Sequence, residues 1–192
     1  MPKLWNATID AHRNAVREAV LDSTARLVAD QGVASVTMSR IAEAAGIGRA
    51  TLYKYFPDVE SILRAWHERQ VGAHLHQLAQ VRSRYAEQPY QALSAVLDAY
   101  AHICRAQHGG GPMAASLHQG EHLAHAHAHL RELVAGLVGD AAAAGDVRGD
   151  VPAAELAAFC LNALQAAAGL ASKAGVGRLV TVTLAGLRPP AA

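Results

Sequence analysis

The sequence predicts an all-α protein. Apolar residues recur at three- and four-residue intervals along most of the chain. Hydrophobic residues make up 52% of it but aromatic ones only 5%, a composition rich in alanine that suits closely packed helices. No strand-like alternation persists. The one candidate, Leu179-Val-Thr-Val-Thr183, is short and sits in a helical context, so it is read as helix.

The first helix is expected from about Ala11 to Ala29, with Val16, Val20, Thr24, Leu27 and Val28 at helical spacing and Gly32 ending it. Two short helices follow within residues 37–56. Pro57-Asp58 then opens a long helix to about Arg84, Asp58 capping it and Ile62, Leu63, Trp66 and Val71 facing inward. Pro89 starts the next, to about Gln107, with Leu93, Val96, Leu97, Tyr100 and Cys104 inward. The run His108-Gly-Gly-Gly-Pro112 is the clearest break in the chain. A helix or helix pair spans about 113–144, Gly145 to Asp150 forms a loop, and Pro152 stands in the first turn of a helix reaching about Ser172. That helix is dominated by small residues. A last one runs from about Val176 to Leu187.

A chain of 192 residues forms one domain or two small ones. Only 17% of residues are charged and the net charge is +1, which argues for a folded chain. Near-neutrality leaves any case for an anionic partner to local charge. Cys104 and Cys160 are isolated and read as reduced core thiols, the usage of an intracellular protein. The N-terminal residues lack the apolar core of a secretory signal, and no run of about 18 apolar residues exists. The expectation is a cytoplasmic protein with no membrane partner and no cofactor.

Residues 37–56 carry the chemistry. Thr37 is a hydroxyl cap; Ile41, Ala42 and Ala45 form the apolar face of a two-turn helix; Gly46 supplies a turn that a Cβ would resist. The second short helix carries Arg49, Thr51, Tyr53 and Lys54, donors suited to phosphates and guanine edges. Within this window Arg40, Arg49 and Lys54 face a single acid, Glu43. The pattern is a helix-turn-helix, and duplex DNA is the anion it fits. A helix of about seven residues is marginal alone. It persists only with Leu52 and Phe56 packed beneath it and the opposite face left for a partner.

This stretch resembles the DNA-binding signature of TetR-family transcriptional regulators. Thr37, Ile41, Ala42, Ala45, Gly46, Thr51, Leu52, Tyr53, Tyr55, Phe56 and Leu63 fall on that pattern. Two positions depart from it. Gly48 stands where the family usually has a capping Ser, which leaves that phosphate contact to backbone N–H. Val59 stands where it usually has Lys, which removes one backbone contact. The resemblance implies an N-terminal three-helix DNA-binding domain (1–56) on a helical effector-binding and dimerisation domain (57–192), and an operator-binding homodimer that is no enzyme. It assigns DNA contact to Thr37, Arg40, Gly48, Arg49, Thr51, Tyr53, Lys54 and Tyr55. Arg49 is the candidate for bidentate reading of guanine, while Thr37, Tyr53 and Lys54 hold phosphates.

Pairing also follows from geometry, because helix-turn-helix units set two recognition helices about 34 Å apart in successive major grooves. The last two helices are the expected interface. Ala157, Leu161, Leu164 and Ala168 share one face, with Leu179 and Thr183 opposite. The same face also fits the protomer's own core. Expected lining of an effector cavity, chosen by facing and polarity, is Trp66, Tyr100, Cys104, Met113, His122, Phe159 and Asn162.

His118, His122, His125 and His129 fall on one helical face. A solvated face, cavity lining and a metal site all fit that spacing. The metal reading gives the second functional alternative, a metal-responsive regulator. His118-Gln-Gly-Glu-His122 also spells the H-x-x-E-H of inverted zinc proteases. Gly120 within it weakens the required helix, and Glu155, the last glutamate, lies too near to serve as the distant third ligand.

Overall fold

The computed structural model describes residues 2–106 and 124–190. These contain eight α-helices and no strand: α1 (Pro2–Gln31), α2 (Met38–Ala44), α3 (Arg49–Tyr55), α4 (Val59–Arg84), α5 (Pro89–Ala106), α6 (Ala124–Ala143), α7 (Ala153–Gln165) and α8 (Lys173–Ala185). They fall into two compact units, divided within α4 between Gln70 and Val71.

Local chemistry sets the boundaries of the first unit. α1 begins nine residues before the expected start, because Pro2 is suited to a first helical turn and nothing downstream breaks the helix. It ends at Gly32, whose φ of 78° and ψ of 163° lie in a region essentially restricted to glycine. Thr37 caps α2 by accepting from the Arg40 N–H. α2 closes in a Schellman motif: Gly46 N–H donates to Glu43 O and Ile47 N–H to Ala42 O, with Gly46 at φ 67°. Gly48 opens α3 without a side-chain cap. Asp58 and Ser61 cap α4 reciprocally, the Ser61 N–H donating to Asp58 Oδ1 at 2.7 Å.

The core of this unit joins Val20 and Leu21 of α1, Ile41 and Ala42 of α2, Leu52 of α3 and Ile62 and Leu63 of α4, with Phe56 between the last two helices. α3 contributes Leu52, fully buried, and its C-capping residue Phe56 is 2% exposed. Those two side chains hold α3 against the rest, at roughly 1.5–3 kcal/mol each.

The second unit has its own core. Leu93, Val96 and Leu97 of α5 meet Val134, Leu137 and Val138 of α6, Leu156, Cys160 and Leu164 of α7 and Val176, Val180 and Leu184 of α8. α6 ends in a second Schellman motif at Gly145. α7 stops at Gln165, earlier than expected, and continues as a 3-10 turn over Ala166–Gly169. Ser172 then caps α8, accepting from Gly175 N–H. The alternating run 179–183 is helical. Thr181 and Thr183 return their hydroxyls to the carbonyls of Gly177 and Leu179, which satisfies them inside a helix. Both cysteines are buried and free, and burial pushes the Cys160 thiol up to about 11. No helix among the described residues is long and apolar enough to cross a membrane.

A Cβ at Gly46 meets no atom within 4 Å, so Gly46→Ala isolates the conformational cost of the turn. The substitution should destabilise the first unit by about 1–2 kcal/mol, read as a lower urea midpoint at constant slope.

Candidate nucleic-acid interface

α3 presents two chemically different faces. Leu52 and Phe56 lie beneath it, while Arg49 and Lys54 are exposed and Tyr53, an aromatic that burial would favour, is 48% exposed. Thr51 and Tyr55 are half-buried at the margins, Tyr55 packed against the core. Thr37 is exposed at the start of α2, its hydroxyl already accepting from Arg40 N–H at 3.3 Å. At Gly48 the carbonyl accepts from Thr51 and Leu52, and the backbone is extended at φ −67°.

The cations of this unit divide into two sets. Arg17 lies over the Phe56 ring at 4.7 Å, Arg26 donates to Ser23, and Arg64 pairs with Glu60. Arg69 pairs with Glu18 and Asp22. Arg40 donates to the Ser35 carbonyl at 3.0 Å and to the Gln31 side chain, tying α2 to the end of α1. Like exposed Arg13 on α1, Arg49 and Lys54 make no ion pair or side-chain hydrogen bond with any other described residue. Both are on α3, beside Tyr53, where an uncompensated positive surface is available to an anion.

The outward-facing cations Arg49 and Lys54 lie on α3, whereas the guanidinium of Arg40, expected among the DNA contacts, is engaged within the fold. The missed signal is the pair Gln31 and Ser35, acceptors that come within reach only once the turn at Gly32 is made.

In the second unit Cys104 is buried in the core and Tyr100 packs against it. Burial, with the neighbouring Cys104, drives the Tyr100 phenol upward, so it remains a neutral donor. Trp66 is half-buried and packs against the first unit's core. Met113, His118 and His122 lie outside the described residues. Phe159 and Asn162, expected to line a cavity, stand on the exposed face of α7. A half-open groove of about 460 Å³ lies elsewhere, between α4, α5 and α6, with Ala79, Ala92, Leu137 and Ala143 as its apolar walls and Arg82 and Asp140 at its edge.

The face expected to pair two copies is already occupied. Ala157, Leu161 and Leu164, with Thr183, are buried in the protomer's own core, while Ala168 and Leu179 are half-buried. The outward side of the same two helices carries two large apolar side chains among polar ones. Phe159 is 48% exposed and Val182 is 69% exposed, and the Phe159 ring lies across the backbone of Gly186. In helices this rich in small residues, both faces pass for an interface by pattern alone.

His125 and His129 are exposed. No group of three or more His, Cys, Asp or Glu among the described residues is arranged to hold a metal ion.

Two family models match the chain. "Bacterial regulatory proteins, tetR family" covers residues 20–66, and "Transcriptional regulator SbtR-like, C-terminal domain" covers residues 88–189. The transcriptional repressor LfrR of Mycolicibacterium smegmatis is 36% identical over 67 residues, 35% of this chain and 32% of that protein. The chain thus spans about a third of that relative's length. The TetR regulator SCO0520 of Streptomyces coelicolor superposes at a TM-score of 0.64 with 24% identity, over 91% of this chain and 99% of that one. The regulator FadR of Bacillus subtilis, solved with stearoyl-CoA, superposes at 0.67 with 13% identity, over 89% and 99%. These likenesses are of fold.

Arg40→Ala should lower the stability of the first unit by about 0.5–1.5 kcal/mol, because the Ser35 carbonyl loses its donor. Urea denaturation followed by the circular dichroism signal measures it.

Proposed function

Because the chain belongs to the TetR family of bacterial transcriptional regulators, we propose that it is a repressor that binds a palindromic operator as a homodimer and leaves it when a small molecule binds the second unit. The chain is a DNA-binding transcriptional regulator of the TetR type. Its family and fold are those of regulators rather than enzymes. The observation that carries the finer reading is the division of cations: Arg49 and Lys54 on α3 are unengaged among the described residues, beside exposed Tyr53.

In the proposed complex α3 enters the major groove. Arg49 pairs with a guanine edge through two parallel N–H donors. Tyr53 and Lys54 hold phosphates, as do Thr37 and the backbone at Gly48, and Thr51 and Tyr55 flank them. The proposed division of labour puts DNA contact in residues 1–56 and effector binding and pairing in 57–192. Two copies meet through the outer faces of α7 and α8, with Phe159 and Val182 at the centre, since exposed apolar side chains of this size mark a contact surface.

Release follows as a population shift. An effector that binds better to a dimer whose reading heads are wrongly spaced lowers operator affinity by its differential affinity, and about 1–3 kcal/mol gives a 5–150-fold loss. α4 contributes residues to both units, so it is the proposed lever. The groove between α4, α5 and α6 offers an apolar surface with one cation and one anion at its edge, fit for a small, partly hydrophobic effector. Among the described residues nothing favours the metal-responsive alternative.

Selection of bound fragments from random duplex DNA tests the reading. A palindromic site is expected; recovery of no preferred sequence would remove it. Arg49→Ala should cost about 1–3 kcal/mol of affinity for the selected site while leaving binding to random DNA much less affected. Val182→Glu should weaken self-association roughly tenfold or more, measured by analytical ultracentrifugation, because it buries an unpaired carboxylate at the contact.

A further inference from the structure

Arg69 lies on α4 at the end of the first unit, one residue before Gln70. Its Nη1 donates to Glu18 Oε2 at 2.7 Å and lies 2.9 Å from Asp22 Oδ1. Glu18 and Asp22 are four residues apart on α1, so a single turn presents both carboxylates to one guanidinium. The Arg69 side chain is 31% exposed, less than either acid. Immediately before Glu18, Arg17 covers the ring of Phe56, the C-capping residue of α3. One stretch of α1 therefore grips the end of α3 and the stem of α4 together.

Resting on the regulator reading above, we infer that Arg69 is a positioning residue for DNA recognition: it fixes α4 on α1 through Glu18 and Asp22, thereby sets the placement of α3, and touches no DNA itself. Apolar packing between helices is non-directional; it resists separation more than sliding along the axis. A hydrogen-bonded ion pair is directional and holds one register. The acid partners one turn apart on α1 make this pair a directional part of the α1–α4 contact, one that holds register. α4 continues beyond Gln70, so a displacement of its distal half reaches this bond before it reaches α3. The competing reading is that Arg69 is one more phosphate contact.

Two measurements on the full chain decide between them. Hydrogen exchange without DNA reports on the amides of α3 in Arg69→Gln, in Arg69→Lys and in the double variant Glu18→Gln/Asp22→Asn. Binding to the duplex selected by the wild-type chain, and to a random duplex, is followed across salt concentrations for the Arg69 variants. Arg69→Gln and the double carboxylate variant should both accelerate exchange in α3 while leaving that of α7 and α8 unchanged. Arg69→Gln should weaken the selected duplex roughly three- to tenfold, with random-duplex affinity and salt slope as in wild type, and Arg69→Lys should restore most of the loss. Equal weakening on both duplexes with a slope reduced by about one would make Arg69 a phosphate contact and overturn the proposal. Unchanged α3 exchange in the two charge-removing variants would overturn it as well. If the wild type selects no duplex, the regulator reading fails while the exchange result still decides the role of Arg69.

Discussion

The structure depends on one constraint: α3 is too short to stand alone. A seven-residue helix forms fewer internal hydrogen bonds than its nucleation requires in water, so its existence is a consequence of burial. Leu52 and Phe56 provide that burial, and the turn at Gly46 aims them inward. With those two side chains fixed inward, Arg49, Tyr53 and Lys54 are left exposed. Recognition chemistry here is the remainder of a packing problem. The side chains that read DNA in the proposed complex are those the core has no use for.

This explains why the head was legible in the sequence. Thr37, the apolar triplet Ile41, Ala42 and Ala45, Gly46 and the Leu52–Phe56 pair are local signals, each satisfied within a few residues of itself. The Schellman closure at Ala42–Ile47 is likewise encoded locally, since only a residue free to take positive φ completes it cheaply. What escaped the sequence is what closes over distance. Arg40 reads as an exposed cation until the chain turns at Gly32 and brings Gln31 and Ser35 under it. Arg69 reads as one polar residue of a long helix until α1 is laid beside α4.

The second unit was legible as helices but not as faces. α7 and α8 carry apolar side chains around most of their circumference, so a stripe at i, i+4 and i+7 exists on more than one side. Ala157, Leu161 and Leu164 form such a stripe and are the inward one, while Phe159 and Val182 stand outward. Apolar periodicity tells one face of a helix from another only when the opposite face is polar. The expected cavity lining met the same difficulty at Phe159 and Asn162, which stand on the exposed face of α7. Tyr100 and Cys104 pack in the core, and four of the nine residues that line the groove between α4, α5 and α6 are alanines, which carry no chemical signature in a sequence.

Charge gives the last step. A net charge of +1 leaves no long-range field to draw the chain to DNA, so attraction must come from a local imbalance. The first unit makes that imbalance by internal neutralisation rather than by excess. Arg64 and Arg69 are paired with acids, Arg40 is folded onto backbone and amide acceptors, and Arg17 is drawn over an aromatic ring. Engaging these cations removes competing positive spots near the reading face and stiffens the frame beneath it. Arg49 and Lys54 then form a focused patch rather than part of a diffuse one, which favours a fixed docking geometry over loose electrostatic adhesion. In the proposed complex the specificity of Arg49 and Lys54 rests on arginines that the fold itself engages.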